Sequence, residues 1–103
     1  MTIDELNIQL KKLGIPIAYG VFSEKQIPPY ITYFRHNDEA VYADDTVYTK
    51  SPHIVLELYC KKRNMQLETA IEKLLTVNEI PYEVYEEYLS DEKLRMITYE
   101  FNL

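Results

Sequence analysis

Leu94-Arg95-Met96-Ile97-Thr98-Tyr99-Glu100-Phe101-Asn102-Leu103 decides the fold. The stretch is rich in β-branched and aromatic residues and reads as a strand. Before it, Ser90-Asp91-Glu92-Lys93 is a polar run suited to a turn, so residues 94–103 should pair with Tyr82–Leu89 as a hairpin. Upstream again, Met65–Val77 presents Leu67, Ala70, Ile71, Leu74 and Leu75 on one stripe, as an amphipathic helix does. Asn64 is placed to cap it, and Glu68, Glu72 and Lys73 fall outside the stripe, on a face expected to meet water. Ile80-Pro81 then ends the helix and turns the chain into the hairpin.

The start of the chain carries a weaker copy of this unit. Thr2 with Glu5 three residues later matches a capping box, Ile3, Leu6, Leu10 and Leu13 recur at helical spacing, and Gly14 supplies the stop. Ile15-Pro16 and an extended segment at 17–22 follow. Between the two helices lie further extended segments at Tyr30–Arg35, 46–50 and 54–61. Pro28-Pro29 opens the first of these, where a missing amide donor is tolerated. In the last, Ile54, Leu56, Leu58 and Cys60 share the face expected to line the core, while Val55, Glu57, Tyr59 and Lys61 share the other. The expected fold is α+β, a mainly antiparallel sheet with two helices packed on one face, in the order α-β-β-β-β-α-β-β. Residues 30–35 and 46–61 can form one long hairpin around an acidic middle.

A chain of 103 residues is one domain by length, residues 1–103, with a single modest core. Its hydrophobic content of 47% argues against disorder. No apolar run approaches the ~20 residues a membrane helix needs, so no membrane role is expected. Asp4 and Glu5 stand where a signal peptide would be basic, and Cys60 is the single cysteine, which together suggest synthesis in a reducing cytoplasm. A net charge of −6 gives phosphates little attraction, and sequence-specific nucleic-acid binding is not expected. The basic cluster Lys61-Lys62-Arg63 reads as a solvated turn between strand and helix.

Residues able to do chemistry are few and scattered. His36, His53, Cys60, Asp38, Asp44 and Asp45 include metal-ligand types, but the soft ligands lack zinc-site spacing, so no metal or cofactor is expected. Cys60 lies on the apolar face of its strand and reads as a small buried hydrophobe. Ser51-Pro52-His53 lacks an elbow glycine, and strand neighbours point to opposite faces. The pairs Asp38-Glu39 and Asp44-Asp45 would suit a small metal-dependent enzyme only if a further acidic residue and a lysine stood nearby at strand spacing, so no catalytic activity is expected. Residues 36–45 hold four acidic residues and no Lys or Arg, a composition that resists burial and suits a solvated loop or hairpin tip used in contacts. Ten tyrosines are the remaining feature. Tyr33, Tyr59 and Tyr85 are expected on sheet faces opposite or beside the apolar ones, where tyrosine makes good interface material. The candidate interface is therefore Asp38, Glu39, Asp44, Asp45, Tyr33, Tyr59 and Tyr85.

Taken in order, these segments resemble the tail terminator or tail-completion (head–tail joining) proteins of long-tailed phages and prophages of Gram-positive bacteria. The resemblance is carried by Leu13-Gly14-Ile15-Pro16-Ile17-Ala18-Tyr19, Pro28-Pro29-Tyr30-Ile31-Thr32-Tyr33, Ala43-Asp44-Asp45-Thr46-Val47-Tyr48 and Val55-Leu56-Glu57-Leu58-Tyr59. It continues through the Lys61-Lys62 turn, Ile80-Pro81-Tyr82, Ser90-Asp91-Glu92-Lys93-Leu94 and Tyr99-Glu100-Phe101, and spans nearly the whole chain. It implies a structural virion protein of the tail or neck, made in the host cytoplasm, that forms a ring, usually a hexamer, on the tail tube. Its implied partners are its own copies, the major tail protein and a head-closure or connector protein. A neighbouring connector component, such as a head-closure or joining protein, is the alternative, and a metal-dependent enzyme a more distant one.

Overall fold

The computed structural model describes residues 1–36, 39–43 and 46–103, with the backbone alone described for 39–43 and 46–50. Among the described residues two helices, α1 (Ile3–Lys11) and α2 (Met65–Val77), accompany seven strands: β1 (Ile17–Tyr19), β2 (Tyr30–Arg35), β3 (Glu39–Ala43), β4 (Thr46–Ser51), β5 (His53–Cys60), β6 (Tyr82–Leu89) and β7 (Leu94–Asn102). Five strands form one sheet in the order β1-β2-β5-β7-β6, and β3 pairs with β4 separately. Only β1 and β2 run parallel in the main sheet, and the other three pairings are antiparallel. The α+β class with a mostly antiparallel sheet is thus as the sequence implies.

Both helix starts follow their capping residues. Thr2 Oγ1 accepts the Glu5 amide at 3.1 Å and Asn64 Oδ1 accepts the Leu67 amide at 3.1 Å, each satisfying a donor that has no partner within the helix. The helix ends differ. Gly14 follows α1 with φ +77, a conformation glycine adopts without a Cβ clash. After α2 it is Glu79 that takes φ +57, while the Ile80 amide donates to Leu75 O at 2.9 Å and the Glu79 amide to Thr76 O at 3.0 Å. That bond pair is a Schellman motif with a side chain where glycine is usual. Strand β1 stops at Tyr19, short of the expected residue 22, because Gly20 turns the chain at φ +83.

The core forms between the helices and one sheet face. Leu6 and Leu10 of α1 and Ile71 and Leu75 of α2 pack with Ile31, Ile54, Leu56, Leu58, Ile97, Tyr99 and Phe101. The registers explain the set. Ile31, Leu58 and Ile97 stand in one row across β2, β5 and β7, and Tyr33, Leu56 and Tyr99 in the next. Alternation then sends all of them to the same side. Each fully buried aliphatic side chain contributes about 1.5–3 kcal/mol relative to exposure.

The expectation for α2 needs correction. Glu68 is only 6% exposed, and Glu72 turns toward the sheet, so the outer face of α2 is not simply polar and wet. Glu72 is held by hydroxyls that donate to it, Tyr99 at 3.0 Å and Tyr82 at 3.4 Å, and Glu68 lies 3.4 Å from the Arg63 guanidinium. Within residues 36–45, expected as a loop or hairpin tip, part of the backbone is strand. Glu39–Ala43 forms β3, whose ladder with β4 prolongs the β2–β5 hairpin: Arg35 pairs with Ile54, and Glu39 with Ser51.

Candidate functional site

The side of the sheet away from the helices has no helix over it. Alternation places Tyr30, Thr32 and Phe34 of β2 there, with Val55, Glu57 and Tyr59 of β5, Met96, Thr98 and Glu100 of β7, and Tyr85 of β6. The registers set them in rows: Tyr30, Tyr59 and Met96; then Thr32, Glu57, Thr98 and Tyr85; then Phe34, Val55 and Glu100. Tyr30 and Tyr59 stack with ring centres 4.8 Å apart and planes inclined by 18°, and Phe22 meets Tyr30 edge-on at 5.6 Å. Phe22 belongs to the connection between β1 and β2, which folds over one corner of this face. Burial pushes the Tyr59 hydroxyl up to about 12, with the Glu57 and Tyr30 charges adding to the shift. Burial likewise raises the Glu57 carboxyl above its ordinary value.

The expected interface residues separate. Tyr59 and Tyr85 stand on the uncovered face, Tyr85 being 50% exposed and donating its hydroxyl to the Glu83 carboxylate. Tyr33 does not join them. It is 2% exposed on the helix side, donates to Asn7 Oδ1 at 2.9 Å and takes the edge of Tyr19 at 5.2 Å. Strand β2 has large apolar residues on both faces, and the Ile31 face is the one that meets α1. Asp38, Asp44 and Asp45 lie outside the described residues, and Glu39 is described only as the backbone that opens β3.

The residues of catalytic type are also apart. Ser51 Oγ donates to Leu103 O at 3.0 Å, while the His53 ring lies 2.7 Å from Asn102 Oδ1 and 3.0 Å from Glu100 Oε1. The histidine thus ties β5 to β7, and the serine ties the end of β4 to the residue after β7. Cys60 is buried, and burial, with the nearby Glu68 charge, raises its thiol. A raised thiol is the opposite of an activated one. Among the described residues no three His, Cys, Asp or Glu side chains gather to hold a metal ion, and no helix is long and apolar enough to cross a membrane.

Sequence order hid the cross-sheet groupings, because Glu57, Thr98 and Tyr85 become neighbours only through strand register. The period-two pattern of β5 was the one signal that pointed to them. No protein-family model matches the chain, and no curated protein matches it significantly.

Proposed function

We propose that this chain is a structural ring subunit that caps the tail tube of a long-tailed phage and joins it to the head. The observation that supports this reading best is the uncovered sheet face. Helices pack on one side of the sheet, yet the other side carries Tyr30, Phe34, Val55, Tyr59, Met96 and Tyr85. Such a surface suits burial against other subunits or the tube. The ordered run of segments that carries the family resemblance adds to it, and the hairpin extension β3–β4 offers an arm for neighbour contacts. The partners proposed are its own copies in the ring, the major tail protein and a head-closure protein, with no catalytic step and no metal or cofactor.

Disrupting the gene in the phage or prophage and examining particles by electron microscopy tests this. Tubes of uncontrolled length, restored to uniform length by the supplied protein, are the expected result. Tails of normal length beside unjoined filled heads would assign the chain to a neighbouring connector component. Normal particles would remove it from the virion pathway. The enzyme alternative, resting on Asp38–Asp45 carboxylates, is checked by melting with and without divalent ions, since a bound ion raises the midpoint by mass action.

A further inference from the structure

Between the β1–β2 connection and the uncovered face runs a groove of about 550 Å³ whose walls include Phe22, Tyr30, Phe34, Glu57, Tyr59 and Glu92. Four of its twelve lining residues are aromatic. Glu57 sits at the floor, near the middle of β5, between Thr32 and Thr98 in the ladder. It is half-buried beside Tyr59, and no lysine, arginine or histidine among the described residues lies within ion-pair distance of it. Lys25 lines the groove yet forms no ion pair within 4 Å among the described residues. A carboxylate taken partly out of water without a counter-charge is a costly arrangement, and a cation is what relieves it.

The aromatic walls narrow the choice of cation. A strongly hydrated ammonium gains less from ring faces than a planar guanidinium does, which stacks on tyrosine and can meet a carboxylate with two parallel N–H bonds. Glu24 and Glu92 also line the groove, and the whole chain carries −6, so the local and overall fields both favour a basic visitor. We propose that this groove receives the side chain of an arginine carried by a partner protein, with the guanidinium on Glu57 and against the aromatic walls. The inference rests on the groove alone and stands whether or not the chain belongs to a tail.

Titrating the isotope-labelled full chain with acetyl-Gly-Arg-Gly-amide, and separately with the citrulline analogue, tests it by amide chemical shifts. The arginine peptide should move the amides of Tyr30, Thr32, Glu57 and Tyr59 and bind at least tenfold more tightly than the uncharged analogue. Glu57→Gln should abolish that difference while retaining a dispersed, folded spectrum. Equal binding of the two peptides, or shifts confined to other surfaces, overturns the proposal, and the shift map in the unaltered protein decides even if the variant does not fold. A concentration-dependent dimer that the arginine peptide dissociates would assign the groove to a second copy of this chain and overturn it equally.

Discussion

Glu79 and Tyr99 show how single residues set local stability. Glu79 holds φ +57 at the end of α2, where a Cβ crowds the following carbonyl, so Glu79→Gly should raise stability by about 0.5–1 kcal/mol. A higher urea midpoint with unchanged slope is the check. Tyr99 is fully buried with its hydroxyl on Glu72, and burial followed by that bond raises it far above 10.0. Its folded value is therefore higher than its unfolded one, so the unfolded chain loses the proton first as pH rises. The tyrosine contribution to stability is intact below pH 10 and falls above it, with Tyr59 adding to the loss up to about 12. Melting midpoints measured across that range should drop, and Tyr99→Phe should flatten the drop. At this scale the sequence was partly legible. The caps Thr2 and Asn64 announced themselves, because a cap bonds to residues three away. The burial of Tyr33 did not, since Asn7 and Tyr19, which meet it, come from distant segments.

Helix α2 and strand β6 carry the element-scale expectations. Ile71 and Leu75 are the fully buried pair on α2, whereas Leu74 is only partly covered. Leu75→Ala should cost about 2–5 kcal/mol and Leu74→Ala distinctly less, read from denaturant midpoints. The helical stripe made α2 recognisable. The burial of Glu68 beside that stripe and the bonds from Tyr99 and Tyr82 to Glu72 were not recognisable, because they depend on the strands the helix packs against. Strand β6 forms the long edge of the sheet, and Glu83, Glu86 and Glu87 repel another such edge. Changing all three to glutamine should leave the melting temperature within a few degrees but bring on self-association, visible by sedimentation. The Arg95–Glu86 pair at 3.4 Å is exposed and adds little to stability.

For the molecule as a whole, the proposed ring requires that subunits not assemble without a template. The isolated protein should therefore scatter as a single subunit, and rings should be seen at tail ends. A stable ring formed by the pure protein would contradict that requirement. Asp44 and Asp45 belong to this scale, since one copy per subunit would line a collar with negative charge. Replacing both by asparagine should change the melting temperature little while reducing head joining, measured as the fraction of complete particles. The α+β layout was legible because helix and strand periods differ so clearly. The parallel β1–β2 pair and the separation of β3 and β4 from the main sheet were not, because pairing partners depend on where the chain returns and not on what it locally prefers.

The position of β7 between β5 and β6 bears on how the protein is made. Synthesis runs from the first residue onward, and β7 is the last element of the sheet to leave the ribosome. Until it does, β5 lacks a neighbour on one side, β6 has nothing to pair with, and Ile97, Tyr99 and Phe101 are missing from the core. The emerging chain thus keeps an open strand edge and unfilled apolar ground until β7 emerges, a state that invites chaperone capture. A stalled nascent chain ending at Lys93 should be digested by protease, and one extended past residue 103 by a tunnel-filling linker should resist it.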